Sequence, residues 1–280
     1  MNQINFTIVI VAENCNPNGD PLMGNRPRID LEGYGEISDV CLKRKIRNRL
    51  QDMGENILIV QNDRIEDGLR SVKKRIDSVA KVKDALTSNN PEPAHINKLV
   101  CEEWTDVRFF GQVFASKKIV PSGITIGVRG PVTIQIARTL EEVRIKEYLI
   151  ARSINMDEDG KRDSSTMGKK YTIEKGVYVT HGSICPELAE KVGFTEKDAE
   201  KLKQCLTTLF DGDASAARPS GSLEVAELYW WKQKEGAEFP RHSPIKVHRS
   251  VRLTPRDEFP YYRSEVTPLE GLEPEIYKIL

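Results

Sequence analysis

Apolar positions alternate first over residues 4–11, where Ile4, Phe6, Ile8 and Ile10 stand against Asn5, Thr7, Val9 and Val11, and this predicts a core strand. The pattern stops at AENCNPNGDPLMGNRPR, residues 12–28, whose three prolines and two glycines predict a long irregular loop. After Gly33 and Gly35, Ser38 reads as a helix N-cap with Asp39 in the first turn. Leu42, Ile46, Leu50 and Met53 then share one face of a helix closed by Gly54. Residues 57–60 read as a short strand. Leu69, Val72, Ile76, Val79 and Leu86 recur at helical spacing, NNPEP at 89–93 breaks the run, and residues 95–103 are helical again. Residues 62–103 are therefore expected to be a helical insertion.

Residues 123–138 predict two strands bent at Gly130-Pro131. Residues 141–170 have little apolar periodicity, much charge and two glycines, as in a disordered loop or a protruding hairpin that orders on a partner. Residues 171–181 predict a strand with a bulge or bend at Gly176. Thr195 caps a helix to residue 210 that lines Ala199, Leu202, Leu206 and Leu209 along one face. The loop DGDASAARPSG leads into a core strand at 223–231. Residues 245–253 alternate Ile245, Val247, Val251 and Leu253 with Lys246, His248 and Arg252, predicting a strand with one basic face. Strands and helices in this order suggest an α+β protein with a ferredoxin-like, or RRM-like, core.

Composition narrows the function classes. The 280 residues hold 42 basic and 42 acidic side chains, so a nucleic-acid role must rest on local clustering, with acidic surface left for partner subunits. No apolar run approaches a membrane span, so a cytoplasmic protein with no membrane partner is expected. Five cysteines without a CxxC favour reduced thiols over a disulfide framework.

Gly19-x4-Gly24 has the outer spacing of a phosphate-binding loop, but Asn25-Arg26 follows where Lys-Ser/Thr is required, and the nucleotide-hydrolase reading fails. The helix from Ser38 carries Lys43, Arg44, Lys45, Arg47 and Arg49 with no acid between 40 and 51. Lys43 and Arg47 lie one turn apart beside the apolar stripe, Arg26 and Arg28 lie just upstream, and the helix N-terminus is itself a phosphate site. A solvated helix face is the bland alternative; the combination favours a groove for a nucleic-acid backbone. RFFGQVF, residues 108–114, is a degenerate match to the base-stacking signature of RRM domains, although Trp104, Val107, Phe110 and Phe114 also suit plain core packing. The four histidines are scattered, His181-x3-Cys185 lacks the other ligands of a zinc site, and Asp20 and Asp30 fall short of a carboxylate–metal centre. No metal, cofactor or catalytic residue is implied.

NPNGDP, GNRPRID, SDVCLKRKIRN, DVRFFG, VRGPV, the TMGKK-to-YVTHG segment and the SAAR loop occur in one order over residues 4–232. Together they resemble the backbone subunits of type I-C CRISPR surveillance complexes (the Csd-two, or Cas-seven, family of RAMP proteins). The resemblance implies an RRM-like palm, a helical finger insertion and a thumb hairpin. The palm would take residues 1–61, 104–140 and 171–238, the fingers 62–103 and the thumb 141–170, with a C-terminal strand and tail at 239–280. It further implies copies stacked head-to-tail along a CRISPR RNA in a prokaryotic cytoplasm. That guide would be presented to target DNA beside a processing subunit, a large subunit and a small subunit, with no nuclease activity in this chain. Matched by position, Arg26, Arg28, Ser38, Lys43, Arg44 and Arg47 would hold the RNA backbone and Gly111 and Gln112 would approach the guide. Met167, Gly168 and Lys169 would stand at the return of the thumb, and Arg218 would lie in the basic loop before the last strand. Type III relatives use an acid in an early loop to cut RNA, so a metal-dependent endoribonuclease acting through Asp20 or Asp30 is the competing expectation.

Overall fold

In a computed structural model of the chain, the described residues are 1–151, 167–234 and 241–280. The chain opens with β1 (Ile4–Glu13), the two-residue strands β2 (Gly19–Asp20) and β3 (Arg26–Pro27), β4 (Tyr34–Ile37) and helix α1 (Asp39–Asp52). Four helices follow, α2 (Val72–Asp77), α3 (Ala80–Thr87), α4 (Pro93–Glu103) and α5 (Thr105–Phe110). Then come β5 (Gly111–Phe114), β6 (Ile126–Arg129), β7 (Val132–Ile134), β8 (Ala137–Glu142), β9 (Ile145–Ala151), β10 (Met167–Ile173) and β11 (Lys175–Ile184). The chain finishes with α6 (Pro186–Val192), α7 (Glu196–Thr207), β12 (Leu223–Lys232), α8 (Pro244–His248), β13 (Val251–Pro255), β14 (Tyr262–Val266) and β15 (Glu275–Lys278).

The main sheet runs β15-β12-β1-β11-β8-β4, with β7 also paired to β11, and every pairing is antiparallel. β1 is central because it is apolar on both faces. Phe6, Ile8 and Ile10 pack with Leu42, Ile46 and Leu50 of α1 and with Leu202 and Leu206 of α7. Val9 and Val11 pack on the other side with Tyr229, Trp231, Val247 and Tyr262, so the segment after residue 241 covers that face of the sheet. A separate cluster unites α2 to α5 with β5 and β6 through Ile76, Val82, Val100, Trp104, Val107 and Phe114. Both long helices start as their sequence requires: Ser38 Oγ accepts from Cys41 N, and Thr195 and Asp198 form a capping box.

Several expected elements differ. Residues 57–60 are not a strand, because no neighbour pairs with them. The amides of Leu58 and Ile59 instead donate to the Asp106 carboxylate at 2.8 and 3.2 Å. The helical run over 66–86 is two short helices broken at Ser78-Val79, where Ser78 Oγ donates to the Arg75 carbonyl. The strand expected over 171–181 is split at Glu174 between the β9–β10 ladder and the main sheet. Residues 245–253 are not one strand. Ser243-Pro244 starts the short helix α8, and β13 begins only at Val251.

Within 141–170, β9 pairs with β10 in a two-stranded antiparallel ladder. The middle of the expected thumb, 152–166, lies outside the described residues, as do 235–240 at the expected boundary of the C-terminal segment. No helix among the described residues is long and apolar enough to cross a membrane, and all five cysteines are free thiols.

Candidate nucleic-acid interface

The opening loop closes on itself before it presents anything. Gly19 and Asp20 pair with Pro27 and Arg26, Asp20 caps the turn at Leu22 N, and Gly24 is left-handed at φ 63°. Asn18 Oδ1 accepts from Ser38 N, which ties the loop to the start of α1. The loop thereby sets Arg26 with its guanidinium 5.7 Å from the ring centre of Tyr171 on β10, while Arg28 makes a loose 3.4 Å pair with Asp20. Lys169 lies on the same strand and is bonded across the ladder to Glu147 at 2.6 Å. That hydrogen bond raises the Lys169 pKa, whereas the nearby Arg26 pulls it down.

A second group of cations surrounds the first turn of α1. Lys45 Nζ lies 2.5 Å from the Asp213 carboxylate, and Arg218 Nε donates to the same group at 3.0 Å. Burial lowers the Lys45 pKa, against the hydrogen bond and charge of Asp213, which raise it. Burial raises the pKa of the Cys41 thiol, and the charges of Lys45, Arg218 and Arg28 oppose that rise, so all three cations sit near this one turn. Lys43 is partly exposed and pairs with Asp39 at 3.1 Å.

The remaining expected site residues have the following places in the fold. Arg47 Nε donates to Asp106 at 3.0 Å, its guanidinium lies 5.0 Å from the ring centre of Phe110, and its side chain is only 15% exposed. Arg44 Nη1 donates to the Ile59 carbonyl at 2.6 Å. Ser38 Oγ is spent on its cap. Gly111 makes a close approach, but to the protein: at φ 81°, a Cβ there would lie 2.3 Å from the Val128 carbonyl oxygen of β6. Gln112 lies half-buried in β5, opposite Val128. Gly168 lies in β10 opposite Ile150, and Met167 opens that strand opposite Ala151. The aromatic signature at 108–114 straddles α5 and β5 and feeds the core through Phe109 and Phe114.

Sequence reading missed the Lys45–Asp213–Arg218 cluster and the Tyr171 platform. A signal for Lys45 existed, since at helical spacing it flanks the apolar stripe one turn after Leu42; none marks Asp213 or Tyr171. Asp20 and Asp30 are both engaged, Asp30 by Arg138 at 2.7 Å and by the amides of Glu32 and Tyr34. Among the described residues, no three His, Cys, Asp or Glu side chains come together as metal ligands would.

The fold belongs to a class already seen in RNA-guided assemblies. A chain of a solved structure described as "CRISPR RNA-guided surveillance complex, pre-nicking" is similar with a TM-score of 0.54 and 13% identity, covering 88% of this chain and 81% of that one. The family model for CRISPR-associated protein Cas7 matches residues 2–267, and the chain belongs to that family. A CRISPR-associated protein Cas7 of Haloferax volcanii is 28% identical over 216 residues, 72% of this chain. The match spans 62% of the length of that relative.

Proposed function

We propose that this chain is a guide-RNA-binding backbone subunit of a CRISPR surveillance complex, of type I-C, that assembles in several copies along one RNA. The observation that carries the reading is Arg26 and Lys169 beside Tyr171 on the β9–β10 ladder, with Arg28, Lys45 and Arg218 around the first turn of α1. Lysine and arginine on phosphates give affinity without reading sequence, as a subunit that must accept any guide requires. Specificity then passes to pairing between guide and target DNA.

The strand order β12-β1-β11-β8, with α1 and α7 on one face, supports reading the core as an RRM-like palm, with the β9–β10 ladder as the base of a thumb. The other face is covered after residue 241, so the RNA does not lie across the sheet as on an RRM. It follows the end of β1, where the opening loop, the ladder and the Arg218 loop meet. The other copies, the processing, large and small subunits, and a cytoplasmic setting belong to this reading. So does the absence of nuclease activity, because Asp20 and Asp30 are spent on turns and ion pairs.

The test is the nucleic acid that co-purifies with the complex. Small RNA of uniform length, intact after incubation with magnesium, is the expected result; cleavage would favour the endoribonuclease reading, and no bound RNA at low salt would end the proposal. Arg26→Ala/Arg28→Ala should weaken RNA binding for every sequence alike and flatten the log K against log salt slope by about 1.4.

A further inference from the structure

β1 begins, at Ile4, beside Ile184 and Lys232, at the opposite end of the sheet from the opening loop. α7 starts at that end, where Glu196 pairs with Lys232 at 2.7 Å. Between α4, the end of α6 and the start of α7 lies an open cleft of about 650 Å³ that the guide-RNA reading does not use.

Ala94, Lys98, Cys101 and Glu102 line it at positions i, i+4, i+7 and i+8, so one face of α4 forms a wall. Lys197 and Lys201, one turn apart on α7, stand on another wall, and Lys191 closes the end of α6. Arg108 and Lys201 are occupied by Asp198 and Glu55 at 2.9 and 2.5 Å. Lys98, Lys191 and Lys197 are exposed and have no ion-pair partner among the described residues. Ala94 and Val192 supply carbon surface between them.

Three free ammonium groups around an apolar strip fit an anionic occupant that also carries carbon. One feature favours protein over nucleic acid: no aromatic side chain lines the cleft to stack a base. Glu102 and Glu190, also without ion-pair partners, stand in the same walls and repel any anion set against them, so an occupant's negative groups fit only opposite the three lysines. We propose that the cleft between α4, α6 and α7 is a docking site for a short acidic segment of a partner protein, which sets carboxylates against Lys98, Lys191 and Lys197 and a small apolar side chain against Ala94 and Val192. The inference stands apart from the guide-RNA reading, whose residues lie at the other end of β1.

The probe is a decapeptide of alternating glutamate and leucine, titrated into the full chain and followed by the amide resonances of Ala94, Lys98, Gly193 and Thr195. Saturable shifts at these positions are expected. Affinity should fall roughly tenfold or more in Lys98→Glu/Lys191→Glu/Lys197→Glu, and oligo-uridine affinity should change by less than about twofold. All three lysines are exposed, so a melting curve matching the wild type confirms that the variant is folded. Absence of saturable shifts, or a peptide affinity indifferent to the charge reversal, overturns the proposal. So does oligo-uridine shifting the same amides in place of the peptide, which would make the cleft a nucleic-acid site.

Discussion

Arg47 shows why a row of cations is not by itself a binding face. Its partner Asp106 is 1% exposed and also accepts from two backbone amides, so Arg47 neutralises a carboxylate that holds residues 58–59 in place. Arg47→Ala is expected to lose about 3 kcal/mol of stability by leaving that charge without its guanidinium. Arg26→Ala should lose less than about 0.5 kcal/mol and act on RNA affinity instead. Urea denaturation at pH 7 separates them, and an Arg47→Ala curve that overlays the wild type would refute the structural role. The helix, its cap and its apolar stripe were legible in the sequence because each depends on neighbours within four positions. Which cations turn inward was not, because Asp106 and Asp213 lie 59 and 168 positions from the side chains they hold.

At the scale of elements, long strands and long helices followed from periodicity, and short pieces between breaks did not. Residues 245–253 alternate convincingly, yet a proline one position inside a serine cap outweighs that pattern over so few residues. The β5–β6 pair depends on a second local rule. Gly111 has φ 81° and no room for a Cβ against β6, whereas a Cβ at Gly127, within β6, would meet nothing within 4 Å. Gly111→Ala is therefore expected to cost at least about 2 kcal/mol and Gly127→Ala no more than about 1 kcal/mol. Equal melting temperatures for the two variants would show that the close approach is not what fixes this glycine.

Across the whole molecule, the covered sheet face is the feature that separates this fold from a sheet that reads RNA with its aromatics. His181 of β11 and His248 of α8 stack there with ring centres 4.8 Å apart, His181 Nδ1 within 2.8 Å of Thr7 Oγ1 and His248 Nε2 donating to the Gly182 carbonyl. Burial lowers both pKa values, that of His181 to about 4 with His248 adding to the effect. Folding thus favours the neutral rings. Their contribution is intact above the ordinary histidine pKa of about 6.5 and is lost as the pH falls from there through about 4. Denaturation midpoints from pH 7.5 to 4.5 should show the wild type losing its advantage over His181→Gln on the acid side, and a constant difference would refute the assignment. The same strand order bears on synthesis. β1 leaves the ribosome well before its neighbours, neither of which exists until residue 175 has been made, on the order of ten seconds later at ordinary elongation rates. For that interval one of the most apolar strands of the protein has two unpaired edges, so the nascent chain is a client for chaperones well before it can meet an RNA.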